Sequence, residues 1–365
     1  MIDAGVRQDN TWLVVDPITG CKNNCQYCFL CNYDQSNKEN VTIFSPTEAV
    51  DKLINYWAFE SFSYPMIGTT TDIFQTVENI EYLKQFINVY EEKEISNPLS
   101  ISTKCAIQDH FIDFISKKTK VNFCFYISYS GLPKSIEPNV CIDNLILNFK
   151  KLASIGHKAI HQFRPIIPQN STREVFTSVF ESIHEYSECT IIRGLNLNDN
   201  LQKRIWFWEE AKNGVFDFTK TVSVFPKGWQ ENLEYIKELF PEYPIYFTNS
   251  CSLSYKTKCS ETFGTLGTEK CLSSRCPQNH RDLCEKQNKQ FDNLDMSFYY
   301  DVMKKLGLNN ALKFEKNNIV VSGELSHEQV AYLSQKFRKR LIVEKIFSQH
   351  EWGGHILGHT DLIIS

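Results

Sequence analysis

A chain of 365 residues is long enough for two or three domains, or for one large α/β barrel with an appendage. Its 42% hydrophobic, 22% charged and 13% aromatic content supplies a sizeable core and excludes disorder, collagen or coiled coil as a description of the whole. A net charge of −4 argues against a surface that grips duplex nucleic acid by bulk electrostatics, but leaves room for a nucleoside or a locally basic groove.

Short β-type runs alternate with amphipathic helical segments, without internal repeat or low-complexity tract. Strands are expected at Thr11–Asp16, Tyr64–Ile67, Leu99–Thr103, Val121–Ser128, His161–Pro165, Cys189–Gly194, Thr221–Phe225 and Ile245–Phe247. In SPTEAVDKLINYW, Ser45 suits a helix N-cap, Pro46 the first helical position, and Glu48 completes a capping box. IEYLKQFINVYEE, IDNLILNFKKLASIG with Gly156 as its stop, and the stretch around SVFESIHEYSE carry the same helical period. This alternation calls for parallel strands with crossover helices, an open or closed α/β barrel over residues 1–247. Its active site belongs at the C-terminal ends of the strands.

Residues 248–290 read as a separate Cys-rich segment with no usable period, one that a metal would hold together. Residues 291–365 read as a small α+β unit. It has a helix in LDMSFYYDVMKKLG, a strand in NIVVSG, a second helix capped by Ser326 with Gln329 at its third position, and a last strand in LIVEKIF. The tail HEWGGHILGHTDLIIS closes the chain.

Thirteen cysteines are many for a chain whose first residues, MIDAGVRQDN, lack the apolar run of an export signal. No stretch approaches a membrane span either, so the expected location is the cytoplasm, where such cysteines read as metal ligands or reactive thiols rather than disulfides. Cys105, Cys124, Cys141 and Cys189 sit singly and read as small hydrophobes. The others form two groups. Directly after the first strand, GCKNNCQYCFL sets Cys21, Cys25 and Cys28 at C-x3-C-x2-C spacing, with Tyr27 just before the third. Three thiolates this close can hold three corners of a cubane iron–sulfur cluster; such clusters usually take four Cys, so one iron is left for an exogenous ligand. The competing reading is a zinc knuckle, but zinc favours paired C-x2–4-C arms, and Cys31 makes a poor second arm.

This loop resembles the fingerprint of the radical S-adenosylmethionine superfamily, a C-x3-C-x-aromatic-C loop after the first strand of a partial (open) parallel α/β barrel, and the resemblance spans roughly residues 10–250. It implies a [4Fe-4S] cluster on Cys21, Cys25 and Cys28, with S-adenosylmethionine chelating the fourth iron. It also implies an electron donor such as flavodoxin or ferredoxin, and reductive cleavage to methionine and a 5′-deoxyadenosyl radical that abstracts hydrogen from substrate. By the family pattern Tyr27 lies against the adenine. The family's Gly-Gly-Glu after the second strand is replaced by MIGTTTDIFQTVE, where Gly68, Thr70 and Asp72 take its place and Asp72 can accept from the cofactor ammonium. With Gln75 and Glu78 following, and Thr103 and Lys104 ending the third strand in ISTKC, this variant is similar to the spore-photoproduct-lyase-like branch. Read without the family, GTTTD is a hydroxyl-rich helix cap. Ser128 and Ser130 in ISYSG end the fourth strand, where polar groups could hydrogen-bond a ribose. Arg164 ends the fifth and suits a bidentate pair with the cofactor carboxylate, the plainer alternative being a surface ion pair. Asn196 is a weaker candidate beyond the sixth.

The second group, Cys251, Cys259, Cys271, Cys276 and Cys284, offers enough thiols for one four-coordinate metal, either a second [4Fe-4S] cluster or zinc. The auxiliary-cluster pattern of some radical enzymes fits loosely: Gly267 is off by one residue and the later C-x2-C is missing. Alternatively the segment holds no metal and some of these thiols act on substrate; in the lyase resemblance a C-terminal-side cysteine donates hydrogen to a product radical, the role considered for Cys251. His350, His355 and His359 lack a helical HExxH spacing, which argues against a metal site there. Trp206, Phe207 and Trp208 read as core and groove wall rather than a base-stacking platform.

Three functions follow. The first is a radical enzyme acting on a nucleoside or nucleotide, one specific form being a salvage lyase that releases a deazapurine base such as queuine. The second is a radical peptide-modifying enzyme with an auxiliary cluster. The third, a non-enzymatic metal- or nucleic-acid-binding protein, is opposed by the acidic charge balance and the missing paired zinc arms.

Overall fold

The computed structural model describes residues 5–33, 35–218, 221–264, 266, 271, 275–292, 294–315, 318–347 and 359–364. Six strands run parallel and adjacent in chain order: Leu13–Val15, Pro65–Ile67, Leu99–Thr103, Phe123–Ser128, Ala159–Ile166 and Ser187–Leu197. Both faces of these strands are covered, as parallel sheets require. Alternation of side chains sorts them into two cores. Ile101, Phe123, Phe125, Ile127 and Phe163 pack with the helices, while Cys124, Tyr126 and Ile160 join Trp12, Val14 and Met66 on the other face. The crossovers are helices Pro46–Ile54, Val77–Glu92, Asp109–Ile115, Ile142–Ser154 and Arg173–Ile183. Ser45 caps the first of these in the expected capping box.

Among the described residues the sheet stays open, as expected of a partial barrel. On one side Leu13–Val15 pairs with antiparallel Val6–Gln8. On the other, Ser187–Leu197 takes Ile245–Tyr246 in parallel near its start and Thr221–Pro226 antiparallel near its end. Two features depart from the sequence expectation. The tail supplies a strand, His359–Ile364, laid parallel along Thr221–Pro226 from Thr221↔His359 to Pro226↔Ile364. The Cys-rich segment, whose sequence shows no usable period, contains helices Asn249–Thr257 and Gln278–Asp292. The first of these turns Ser250, Ser252 and Ser254 inward with Leu253, so its buried face is largely polar and leaves no apolar period to read.

The C-terminal unit packs helices Met296–Lys305 and His327–Phe337 on a three-stranded sheet of Leu312–Glu315, Asn318–Ser326 and Arg340–Phe347. Its core includes Tyr299, Met303, Ile319, Val321, Leu333 and Phe337 and reaches Ala58 of the barrel. Glu60 accepts from Tyr332 and from Lys336 at 2.9 Å each, and Gln335 donates to the Asn10 carbonyl at 2.7 Å. No helix among the described residues is long and apolar enough to cross a membrane.

Candidate active site

The cysteine loop leaves the first parallel strand through a short antiparallel ribbon, Ile18–Thr19 with Val41–Thr42. The ribbon closes the loop at its base. Gly20 sits there at φ +90°, and a Cβ on it would lie 2.2 Å from the Glu39 carbonyl oxygen, so only glycine fits. Asn40 stitches the same point, donating to the Gly20 carbonyl at 2.6 Å and to Thr71 Oγ1 at 2.7 Å. Within the loop the Cys21 N–H reaches the Gln35 carbonyl and the Cys28 N–H the Cys25 carbonyl, both at 3.0 Å. Gln75, after the second strand, accepts from the Lys22 N–H at 3.0 Å and points its amide at Cys21 Sγ, 3.7 Å away.

Burial pushes the Cys21 thiol up to about 11, with help from the Asp72 charge. Burial likewise lifts Cys28 to about 12, and raises Cys25 through desolvation, against which the Lys104 ammonium acts. All thirteen cysteines are free thiols. Three thiols that burial holds in the neutral form need a strongly cationic partner to become thiolates, which is what cluster iron supplies, so the donor set fits a thiolate-ligated cluster. No three His, Cys, Asp or Glu side chains among the described residues meet at the spacing of a single bound ion.

The turn after the second strand is built on two carboxylates. Asp16 is paired with Arg7 at 2.7 Å and accepts from the Thr69 N–H and hydroxyl at 2.6 Å each. Gly68 turns there at φ +76°, and Thr70 donates its hydroxyl to the Ile18 carbonyl at 2.9 Å. Asp72 takes Thr103 Oγ1 at 2.6 Å, the Lys104 N–H at 2.7 Å and Asn23 Nδ2 of the cysteine loop at 3.1 Å. Gly68, Thr70, Asp72 and Thr103 thus frame the loop and fasten it to the second and third strands.

Tyr27, Lys104 and Ser130 converge on Glu137, a buried carboxylate that the sequence reading did not single out. Ser128 is buried beside them and gives its carbonyl to Lys104. Arg164 is partly buried and has no hydrogen-bond or ion-pair partner among the described residues. Desolvation, with the neighbouring Arg193, lowers its pKa to about 10, an arrangement that favours an incoming anion. It stands within electrostatic reach of Tyr27 and Lys104. Gln162, on the same strand, is buried with its Nε2 unpaired. Asn196 is exposed, outside this group. Phe207 and Trp208 are buried as expected, whereas Trp206 is 55% exposed and donates to Gln26 of the cysteine loop at 3.5 Å.

The second thiol group lies apart. Helix Asn249–Thr257 doubles back so that Lys256 meets the Lys158 carbonyl and Glu188, at the N-terminal ends of the fifth and sixth strands. The charges that act on Cys251 are Glu261, Cys284 and Cys271, so the structure groups it with the second thiols and not with the cysteine loop. Cys259 pairs with Tyr64 OH at 2.9 Å; Cys276 lies 3.4 Å from His280 Nδ1; Cys284 accepts from the Glu261 N–H at 3.4 Å. Gly267, His350 and His355 lie outside the described residues, as does the side chain of His359.

No family model matches the sequence, and a search of curated proteins returned no match. Solved structures do resemble it. A spore photoproduct lyase mutant with bound AdoMet and dinucleoside spore photoproduct is 18% identical, covering 66% of this chain and 79% of its own, at a TM-score of 0.48. SuiB of Streptococcus suis bound to S-adenosylmethionine is 13% identical over 70% of this chain and 54% of its own, with a TM-score of 0.45. The radical S-adenosylmethionine methyltransferase TsrM of Kitasatospora setae reaches 10% identity, 50% and 35% coverage, and a TM-score of 0.39. At these values the likeness assigns neither substrate nor activity.

Proposed function

We propose that this chain is a radical S-adenosylmethionine enzyme in which Cys21, Cys25 and Cys28 ligate a [4Fe-4S] cluster and Arg164 receives the carboxylate of S-adenosylmethionine. The observation that carries the reading is a juxtaposition. Three thiols, Cys25 buried and Cys21 and Cys28 half-buried, are stapled at the C-terminal end of the first parallel strand, and an arginine without an anion stands at the end of the fifth. When bound, the cluster and cofactor supply reductive sulfonium cleavage and a radical that takes hydrogen from substrate. The chain's own part is position and water exclusion. Tyr27, tethered by its hydroxyl, offers its ring to the adenine; Arg164 offers a fork to the carboxylate. Ser128 and the unpaired Nε2 of Gln162 remain for a sugar or base edge.

Within that class we take a nucleoside-type substrate, and as the specific reaction the release of a modified base such as queuine. The hydroxyl and amide groups at the strand ends support this. Flavodoxin or ferredoxin would supply the electron, and thirteen free thiols suit the reducing cytoplasm.

Anaerobic reconstitution tests the reading. The wild type should carry about four more irons than a Cys21→Ala/Cys25→Ala/Cys28→Ala variant. With dithionite and S-adenosylmethionine it should release 5′-deoxyadenosine. An iron-free wild type, or a loaded one that makes no 5′-deoxyadenosine, overturns it. Mass spectrometry of a nucleoside panel, queuosine included, reads the substrate by the free base released; iron remaining in the triple variant reports on the second thiol group.

A further inference from the structure

Glu137 lies in the loop after the fourth parallel strand, 3% exposed, where its carboxylate meets side chains from three separate elements. Tyr27 of the cysteine loop donates its hydroxyl to Oε1. Lys104, past the end of the third strand, donates to the same oxygen at 2.7 Å. Ser130 donates to Oε2, also at 2.7 Å. The ammonium gives another N–H to the Ser128 carbonyl at 3.3 Å and stands 5.7 Å from the centre of the Tyr27 ring, two residues from Cys25 in the cysteine loop. Next to Glu137, the Ile136 carbonyl takes the Gln26 N–H at 3.0 Å. Backbone and side chain alike therefore tie the cysteine loop to this one segment.

A buried ion pair behaves asymmetrically. Removing one partner strands the opposite charge, whereas removing both leaves no net charge behind. The Lys104 ammonium has its counter-ion within the chain; Arg164 has none among the described residues.

We propose that Glu137 is a positioning residue. It fixes the Tyr27 ring and neutralises the Lys104 ammonium that lies over that ring of the cysteine loop, so that Lys104 is committed within the chain and the cofactor carboxylate falls to Arg164. The inference rests on the cluster reading above, and a spectroscopic readout separates the two. In EPR-monitored redox titrations of anaerobically reconstituted protein, Glu137→Gln leaves the ammonium unbalanced, which favours the reduced cluster, so its midpoint potential moves positive of the wild type. Lys104→Met/Glu137→Gln brings the potential back toward the wild-type value. An unmoved potential in Glu137→Gln with its cluster intact, or a double variant displaced as far as the single one, overturns the inference alone. Should Glu137→Gln fail to retain iron, recovery of iron in the double variant supports charge pairing, and loss in both overturns it. A wild type without iron overturns the cluster reading and this inference together.

Discussion

The carboxylate of Asp72 takes four donors, Thr103 Oγ1, the Phe74 and Lys104 N–H groups and Asn23 Nδ2, which together use the lone pairs a carboxylate has. From the sequence it reads as an acceptor for a cofactor ammonium; in the fold it is a knot joining the cysteine loop to two strand ends. The residue type was legible, its partners were not, because they come from positions up to 49 residues away. Glu137 gives still less signal, a single carboxylate in LPKSIEPNV 110 positions from Tyr27. His161 shows the same limit and yields a prediction. It is fully buried between Thr190 Oγ1 at 2.9 Å and the Tyr129 carbonyl at 2.8 Å, and burial pulls its pKa down to about 4. An unfolded imidazole takes a proton near pH 6.5, while the folded one resists it until about pH 4. The contribution of His161 to stability is therefore complete above pH 6.5 and is lost as pH falls toward 4. Its share of the loss between pH 7 and pH 5 is about 2 kcal/mol. Urea unfolding at both pH values should show His161→Gln losing less stability than the wild type by that amount, and parallel losses would refute the assignment.

At the scale of elements, the sequence is most readable where local chemistry decides the outcome. The capping boxes at Ser45 and Ser326 form as their spacing predicts. The six parallel strands fall where apolar runs meet turn residues, within a few positions at each end. The helices of the Cys-rich segment escaped because a helix that buries serines carries no hydrophobic stripe. Ser326 tests how much a readable cap contributes. Its hydroxyl accepts the Gln329 N–H at 3.1 Å and its own N–H is taken by Gln329 Oε1 at 2.8 Å. The helix it starts also carries Glu328, which binds Tyr56 OH at 2.9 Å and the Gln8 N–H at 3.3 Å across to the barrel. Ser326→Ala should cost about 1 kcal/mol in chemical denaturation. Because the same helix braces the barrel, the loss should appear in tryptophan fluorescence of the barrel as well as in far-UV circular dichroism. A transition that moves in one probe and not the other would show that the unit unfolds independently.

Over the whole molecule the decisive non-local feature is the returning C-terminal strand. His359–Ile364 is six residues long and aligns residue for residue with Thr221–Pro226, whose other edge holds the sixth barrel strand at Leu195–Leu197. A parallel strand added by the end of a chain cannot be read from a local pattern, because its partner lies more than a hundred positions earlier and no turn announces it. Ile364 packs on the cluster of Leu195, Leu197, Val222 and Val224 beneath the loop that carries Trp206. Removing residues 359–365 converts Thr221–Pro226 into an open edge with Val222, Val224 and Phe225 behind it. Unpaired edges of this kind recruit other chains. The truncated protein should melt several degrees lower and elute partly as higher oligomers in size-exclusion chromatography with light scattering. Adding Lys at Val222 in the truncated chain should not restore the melting temperature, since that position faces the core. Placing Lys at Ile363 in the full-length chain, where the side chain is 53% exposed, should leave both readouts unchanged. A truncated chain that stays monomeric at the wild-type melting temperature would show that the barrel holds its outer strand without the tail.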